Sequence, residues 1–327
     1  MKIFKYIGVL LLLVFVAGIV LLYKGDIPAD VVDAKYSNPA SQFLTMDNGA
    51  RVHYRDQGNP EGSPLVLIHG SNASLHTWEP WIERLGNDYR IVTMDLPGHG
   101  LTGSVPDADY SSEAQLNTVA AVVDHLNLTQ FTLGGNSMGG GVTWRYTLEN
   151  PDQVQAMILV DASGLPEWWA ERRAQLSETE REAPIAFQLL GQAWFRTIAR
   201  YLDPYYLAVQ GVKSSYNNSD IIDQALIDRY YELSLRAGTR DATLARFGRQ
   251  RNWEETFDLS ELDQPTLIMW GKEDSLIPAS TADQFAEALP NTSVVVYDGV
   301  GHIPMEEIPD RSAEDVRLFM KTLTSSQ

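Results

Sequence analysis

No cysteine occurs anywhere in the 327 residues of the chain. This absence excludes disulfide bonds, thiolate ligands for a metal ion, a cysteine nucleophile and a lipidated N-terminal cysteine. It leaves the compartment open, because a chain without cysteine suits oxidising and reducing spaces equally well. The six histidines show no spacing typical of a metal-ligand set, so we expect no bound metal.

Basic side chains are outnumbered by acidic ones, 25 against 43, which gives a formal net charge of −18. A surface of this sign repels phosphate backbones, so we expect no nucleic-acid partner. Hydrophobic residues make up 44% of the chain and charged residues 21%, which is ordinary for a folded protein. The length suffices for one large domain with an insertion, or for two modest domains.

The start of the chain is unusually hydrophobic. No charged residue occurs from Tyr6 to Tyr23, and a helix of that length extends about 27 Å, close to the roughly 30 Å hydrocarbon core of a bilayer. The run therefore predicts one transmembrane helix, with residues 1–24 as a membrane anchor. A cleaved signal peptide is the alternative, although its hydrophobic region is usually only about 7–15 residues long and no clear cleavage site follows the run.

Basic residues around this run predict its orientation. Lys2 and Lys5 precede it, and only Lys24 follows it closely. Because basic residues favour the cytoplasmic side of a span, we expect a single-pass protein with a cytoplasmic N-terminus. The remainder would lie outside, in the periplasm if the source is bacterial. If the run is instead a cleaved signal, the protein would be secreted.

Beyond the anchor, the sequence predicts a linker followed by a sheet. Residues 25–40 mix charge, proline and asparagine, which is typical of a spacer. Asp47-Asn48-Gly49 predicts a hairpin turn between two short strands. Apolar runs then alternate with stretches of helical periodicity: strands at 64–68, 90–94, 131–135, 156–160, 266–270 and 293–297, and helices at 113–127, 139–150, 279–289 and 311–323. Non-alternating strands joined by helices indicate an α/β protein with a parallel sheet covered on both faces.

One segment, residues 162–259, interrupts this alternation. It contains no good strand, but it has several helical patterns and many large aromatic residues, such as Trp168 and Trp194. Since it lies between two predicted strands, we expect it to leave the sheet and return as an inserted helical cap. The core then comprises residues 41–161 and 260–327. The aromatic residues are predicted to pack mainly inside the cap, with the lining of an apolar pocket as the alternative.

The sequence Gly135-Asn136-Ser137-Met138-Gly139 has the pattern G-x-S-x-G. It lies between a predicted strand and a predicted helix, the setting in which this pattern forms a nucleophile elbow. A serine there occupies a strained turn, and the flanking glycines allow backbone to pass close by. Ser137 is therefore predicted to be a nucleophile. A serine that merely begins a helix after a glycine-rich turn is the alternative.

A serine nucleophile needs a base, and the base needs an orienting acid. His302 lies in a glycine-rich loop after the last predicted strand, and Asp274 follows the strand before it. The chain order Ser, Asp, His is the order of the G-x-S-x-G hydrolases. We therefore predict a catalytic triad of Ser137, Asp274 and His302, with Glu273 and Asp161 as alternative acids.

Two backbone amides are predicted to form an oxyanion hole. One is the N–H of Met138, which follows the nucleophile, and the other is the N–H of Ser71 in the loop after the 64–68 strand. His69 precedes this loop and is predicted to buttress it rather than to act as a base. The segment 95–100, Asp-Leu-Pro-Gly-His-Gly, is predicted to shape a tight turn.

Together these motifs resemble the α/β-hydrolase superfamily. HGSN, DLPGHG, GNSMGG, WGKED and GVGH occur in that family's order, and the resemblance covers residues 42–323. It implies a mostly parallel eight-stranded sheet, a Ser-His-Asp triad and no cofactor. Haloalkane dehalogenases and epoxide hydrolases place an aspartate where this chain has Ser137, so those chemistries are disfavoured.

Two subfamilies are similar in part. GNSMGG resembles the meta-cleavage-product C–C hydrolases, although Ser71-Asn72-Ala73 stands where they have a Gly-Pro-Gly-type loop. The anchor, the cap and WGKED resemble membrane-attached monoacylglycerol lipases. We therefore expect a serine hydrolase that acts on small-molecule carboxylic esters, apolar or lipid-derived. C–C bond hydrolysis of aromatic ring-cleavage products is the alternative, and a non-catalytic ligand-binding module is a remote one.

Overall fold

The computed structural model describes residues 22–175, 192–248 and 255–325, together with Tyr6 and Gly18. The predicted membrane span lies almost wholly outside these residues. Within them, no helix combines the length and the apolar character that crossing a bilayer requires.

Eight strands form one sheet. They are β1 (Ser41–Thr45), β2 (Arg51–Gly58), β3 (Pro64–Ile68), β4 (Arg90–Met94), β5 (Phe131–Asn136), β6 (Val154–Val160), β7 (Thr266–Gly271) and β8 (Thr292–Tyr297). Their order in the sheet is β1-β2-β4-β3-β5-β6-β7-β8. β2 pairs antiparallel with β1 and β4, whereas all other neighbours are parallel. The predicted mostly parallel eight-stranded sheet is confirmed.

The helices alternate with the parallel strands. They are α1 (Ala29–Tyr36), α2 (Glu79–Leu85), α3 (Ser112–His125), α4 (Met138–Glu149), α5 (Pro166–Gln175), α6 (Ala193–Ala199), α7 (Tyr205–Ser215), α8 (Gln224–Leu235), α9 (Thr239–Gly248), α10 (Ser280–Ala288), α11 (Pro304–Glu307) and α12 (Pro309–Ser325).

The central strands are buried on both faces, as their uninterrupted apolar sequences predict. In β3, Val66 and Ile68 belong to the core under α3, α4 and α10, whereas Leu65 and Leu67 belong to the core under α2 and α12. This two-sided packing fixes the strands, so the loops that follow their carboxyl ends are held at one edge of the sheet.

The hairpin between β1 and β2 forms where the Asp-Asn-Gly turn signal predicted it. Ser41 lies opposite Arg55 and Thr45 opposite Arg51. Gly49 has a φ of +82°, a conformation that side chains with a Cβ rarely adopt. The turn residues thus set the register of the first two strands.

The described residues of the insertion after β6 form helices joined by loops and contribute no strand to the sheet. The insertion contains α5 to α9, and β6 and β7 on either side of it are parallel neighbours in the sheet. The chain therefore leaves the sheet after Val160 and returns to the adjacent position at Thr266. We call residues 162–259 the cap.

The segment 25–40, predicted to be a spacer, contains helix α1 and packs against the cap. Val32 is buried, and the Asp33 carboxylate accepts hydrogen bonds from Arg236 at 2.7 Å and from Arg51 at 3.1 Å. The Tyr36 hydroxyl donates to Glu232 at 2.8 Å. Asp26, Asp33 and Lys35 of this segment are each paired with an opposite charge on the cap, and Asp33 also pairs with Arg51 of the core.

Candidate active site

Ser137 occupies the sharp turn between β5 and α4. Its φ of 55° and ψ of −118° lie outside the regions that a residue with a Cβ prefers. Its backbone N–H donates to the Val160 carbonyl at 3.0 Å, and its carbonyl accepts from Ser163 N–H at 2.9 Å. These contacts with β6 and the residues after it hold the strained turn in place, and the side chain remains half-buried.

Two glycines make this turn sterically possible. A Cβ on Gly135 would lie 2.2 Å from the Gly139 carbonyl oxygen, and a Cβ on Gly139 would lie 2.2 Å from the Ile68 carbonyl oxygen. Both contacts are with backbone, which cannot move aside cheaply. The G-x-S-x-G pattern is therefore a packing requirement as well as a sequence signature.

His302 and Asp274 form a buried hydrogen-bonded pair. His302 Nδ1 lies 2.6 Å from Asp274 Oδ2. The other oxygen, Oδ1, accepts from the backbone N–H groups of Leu276 at 2.7 Å and Ile277 at 3.0 Å. These donors fix the carboxylate, and the carboxylate orients the imidazole.

The amide of Asn136 ties the serine turn to the histidine loop. Its Nδ2 donates to the His302 carbonyl at 3.0 Å and to the Val160 carbonyl at 3.1 Å. Ser137 follows β5, Asp274 follows β7 and His302 follows β8, so all three lie beyond the carboxyl ends of parallel strands. Sequence reasoning overlooked Asn136, whose signal was a polar residue at the end of an otherwise buried strand.

The loop that carries His302 is held by two glutamates and the cap. Glu273 accepts from Gly299 N–H at 2.7 Å and Val300 N–H at 3.1 Å, and Glu307 accepts from Gly301 N–H at 2.7 Å. The His302 N–H donates to the Ser215 carbonyl of α7 at 2.8 Å. The position of the imidazole thus depends on the cap as well as on the core.

The loop predicted to supply an oxyanion donor lies against the serine. A Cβ on Gly70 would lie only 3.1 Å from Ser137 Cβ, and Ser71 follows directly and is exposed. Met138 is the first residue of α4, so its N–H has no partner within the helix. Met138 follows Ser137 directly, and Ser71 follows the glycine that packs against it, so the two-amide oxyanion hole stays a prediction.

His69 buttresses this loop, as predicted. Its Nδ1 donates to the Gly70 carbonyl at 2.7 Å, and its Nε2 accepts from Leu96 N–H at 3.1 Å. Burial lowers the pKa of His69, which keeps the ring neutral and able to accept. Its ring centroid lies 4.9 Å from that of His99.

The Asp95–Gly100 segment shapes its turn through a buried carboxylate. Asp95 Oδ1 accepts from Leu75 N–H and Oδ2 from Leu101 N–H, each at 2.8 Å. His53 Nδ1 lies 2.7 Å from Oδ2. Burial would raise the pKa of Asp95, but the hydrogen bond with His53 and the imidazoles nearby lower it overall. The segment has the structural role that the sequence predicted.

A second buried carboxyl, Asp161, lies beside the pair. One ligand-type atom each of Asp161, Asp274 and His302 lies within 4.8 Å of the others, and Asp161 Oδ1 accepts from Gly271 N–H at 2.9 Å. Such a triple has the donor types of a metal site. However, Asp274 already accepts from two backbone N–H groups and contacts His302, and burial and the charge of Asp274 raise the pKa of Asp161 well above its usual range. The arrangement suits a protonated acid beside a carboxylate better than a cation.

Replacing Asp161 by asparagine should stabilise the protein, relative to the wild type, by an amount that grows with pH. The native protein keeps a proton on Asp161 that the unfolded chain releases above about pH 4. The contribution of Asp161 to the free energy of unfolding therefore falls as the pH rises from about 4. The Asp161→Asn variant cannot ionise there and keeps an acceptor for Gly271 N–H, so its stability relative to the wild type should increase with pH. Denaturant titrations across a pH series measure this, and a difference that does not change with pH would contradict it.

A family model described as the alpha/beta hydrolase fold matches residues 63–309 of the chain. This range begins just before β3 and ends at the start of α12. It therefore includes all the parallel strands, the cap and every residue of the candidate site.

Individual proteins are similar over most of the chain. Lipase 1 of Psychrobacter immobilis is 26% identical over 294 residues, which cover 87% of this chain and 85% of the lipase. The 2-hydroxymuconate semialdehyde hydrolase of Pseudomonas sp. strain CF600 is 25% identical over 303 residues, 88% of this chain and 97% of the hydrolase. Among solved structures, a bacterial membrane phospholipase A matches with a TM-score of 0.69 at 23% identity, with 99% of each chain covered. At that identity the structural likeness concerns the fold.

Proposed function

Because the chain belongs to the α/β-hydrolase family, we propose that it is a serine hydrolase that cleaves carboxylic esters through Ser137, His302 and Asp274. The observation that carries the proposal is the buried His302–Asp274 hydrogen bond of 2.6 Å, together with the position of Ser137 in a strained strand-to-helix turn. The Asn136 bridge supports it, because it keeps the two loops together.

In the first half of the reaction, Ser137 Oγ attacks the ester carbonyl. His302 takes the serine proton through Nε2, because Nδ1 is engaged with Asp274. The backbone N–H groups of Ser71 and Met138 donate to the oxyanion. His302 then protonates the leaving alcohol, and an acyl-enzyme remains.

In the second half, His302 draws a proton from a water molecule, which attacks the acyl-enzyme. The acid leaves, the proton returns to Ser137, and the free enzyme is restored. Asp274 orients the imidazole and stabilises the imidazolium that forms in each half. No cofactor is required for this chemistry.

We propose that the substrates are apolar or lipid-derived esters. Two relatives carry the name lipase, and the sequence predicts a membrane anchor in residues 1–24. The cap exposes large apolar side chains, including Trp194 at 60% and Tyr206 at 70%. An exposed aromatic surface of this kind suits contact with an apolar or interfacial substrate better than with water alone.

The segment after the predicted span supports a membrane location for the same site. Asp203 N–H donates to the Leu22 carbonyl at 2.7 Å, and Lys24 N–H donates to the Tyr201 carbonyl at 2.9 Å. A helix ending at Tyr23 would therefore leave the bilayer beside the cap and its exposed aromatic residues. We propose a single-pass protein with its N-terminus in the cytoplasm and its catalytic domain outside.

Labelling with a fluorophosphonate probe tests the nucleophile and the location together. We expect one labelled band at 36.5 kDa in the membrane fraction, resistant to a high-salt wash. Absence of labelling from an otherwise folded protein would contradict the serine hydrolase proposal. Label found only in the soluble fraction would contradict the anchor alone.

A series of p-nitrophenyl esters from acetate to palmitate, with the matching monoacylglycerols, tests the substrate class. We expect kcat/KM to rise from acetate to longer acyl chains, because each buried methylene group contributes about 0.8 kcal/mol. Activity confined to acetate would contradict an apolar acyl site while leaving the serine hydrolase proposal intact.

C–C bond hydrolysis is a second candidate, favoured by the similarity to 2-hydroxymuconate semialdehyde hydrolase and by the GNSMGG motif. The same three residues, Ser137, His302 and Asp274, would catalyse this reaction. Loss of absorbance of a ring-cleavage dienone, at a rate exceeding that of any ester, would favour this candidate.

A further inference from the structure

An arginine of the cap contacts the loop that contains Ser71 and Asn72, next to the proposed nucleophile. Arg246, in α9, donates from Nη2 to Asn72 Oδ1 at 2.9 Å and from Nη1 to Ser71 Oγ at 3.4 Å. Nη1 also contacts His99 Nε2. Since Gly70, next to Ser71, is in close contact with Ser137, the guanidinium lies beside the proposed oxyanion loop.

The charge of Arg246 is not neutralised by any carboxylate among residues 22–175, 192–248 and 255–325. Its partners are an amide, two hydroxyls and His99, and burial followed by the charge of Arg246 keeps the pKa of His99 well below its usual value. Burial lowers the pKa of Arg246 to about 10, so the guanidinium stays protonated at neutral pH. Its Nε is buried, and no described residue accepts a hydrogen bond from it.

Three other largely buried arginines among the described residues of the cap each have a carboxylate partner. Arg229 pairs with Glu306 at 2.8 Å, Arg236 pairs with Asp33 at 2.7 Å, and Arg240 pairs with Asp26. A chain with 43 acidic residues thus supplies a counter-ion to each of them. Burying a cation without a counter-ion costs free energy of folding. Arg246 is such a cation, and it lies next to the candidate site.

We infer that Arg246 binds an anionic group of the substrate, a carboxylate or a phosphate, close to the ester carbonyl. The inference rests on the proposed ester hydrolysis and narrows its substrate class. Guanidinium groups bind both anions through paired N–H donors, and the 3.4 Å contact from Nη1 to Ser71 Oγ is long enough for a ligand oxygen to replace it. Ser71 and Asn72 are exposed, so the anion can approach from their side.

Matched ester pairs, each with one anionic and one neutral member, test this inference. For carboxylate, the pair is p-nitrophenyl hydrogen adipate and p-nitrophenyl methyl adipate. For phosphate, it is 1-acylglycerol 3-phosphate and the 1-acylglycerol with the same chain. We expect the wild type to prefer the anionic member of at least one pair. Arg246→Gln should lower kcat/KM for that member by about 10–100-fold, mainly through KM, and for the neutral member by less than about threefold. Arg246→Lys should restore part of the loss.

The control is Arg200→Gln, which removes an exposed cap arginine paired with Asp241. It should leave the preference for the anionic member of each ester pair unchanged.

If Arg246→Gln lowers the rates of both members equally at an unchanged Tm, Arg246 positions the loop and the inference is wrong. If all esters resist hydrolysis but adipate or glycerol 3-phosphate raises the Tm of the wild type and not of Arg246→Gln, the anion site stands and ester hydrolysis does not. No preference and no such Tm shift would overturn the inference and leave the hydrolase proposal in place.

Discussion

Replacing Ser137 by alanine is expected to lower kcat for ester hydrolysis by roughly 10⁶-fold, the scale of loss when a serine nucleophile is removed from a triad. No acyl-enzyme can form without the hydroxyl, and only the proposed oxyanion donors and substrate binding would continue to favour hydrolysis. Fluorophosphonate labelling should disappear at the same time. Initial rates with the best p-nitrophenyl ester and labelling of the purified variant measure both effects.

The fold should tolerate this change, because alanine and serine both carry a Cβ and are therefore strained to a similar extent at the φ of 55°. The Tm of Ser137→Ala should therefore stay close to that of the wild type. Ser293→Ala is the matched control, since Ser293 is exposed on β8, and its activity should be unaffected. Turnover retained by Ser137→Ala, beyond a trace of wild-type contamination, would remove Ser137 from the role proposed for it.

Replacing Asp274 by asparagine is expected to lower kcat by about 10⁴-fold, the effect typical of this change in a Ser-His-Asp triad. The asparagine side chain is nearly isosteric, so it can keep an oxygen acceptor for Leu276 and Ile277 N–H. It has no charge to stabilise the imidazolium, and its amide can hold His302 in the wrong tautomer. Steady-state rates across a pH series, together with the Tm, separate loss of catalysis from loss of folding.

Glu273→Gln is the informative comparison, because Glu273 was an alternative acid next to Asp274 in the sequence. Its carboxylate contacts Gly299 and Val300 N–H, and glutamine retains an acceptor there. We expect a loss below about tenfold, since a neutral acceptor still holds the loop. A loss from Glu273→Gln as large as that from Asp274→Asn would mean that the acid is wrongly identified.

The fold was largely predictable because its signals are local. The Asp47-Asn48-Gly49 turn predicted the hairpin, and the unbroken apolar run in 64–68 predicted a strand buried on both faces. The helix predicted at 139–150 begins one residue earlier, at Met138. The unusual backbone conformation of the turn is confined to Ser137, so the next residue can already be helical. Each of these features depends on a few neighbouring residues.

Contacts between distant charged residues could not be predicted in the same way. Arg246 reaches Ser71 across 175 positions, and Asp33 of the expected linker pairs with Arg236 across 203 positions. From sequence alone, a charged side chain could face solvent or pair with any of many residues. Only the folded structure shows which of these applies. Asp161 was named as an alternative acid, but its closeness to Asp274 depends on the pairing of β6 with β7.

The attachment of the segment before α1 to the cap matters to anyone who shortens the chain for expression. Ile27 N–H donates to the Leu235 carbonyl at 2.8 Å, Ala237 N–H donates to the Ile27 carbonyl at 2.9 Å, and Asp26 pairs with Arg240. A version cut just before β1 would leave Arg236 and Arg240 without their carboxylates, along with open backbone groups on the cap that holds the His302 loop. The shortest form that keeps these attachments begins at residue 26, and a start at residue 22 also keeps the hydrogen bond from Asp203 N–H to the Leu22 carbonyl.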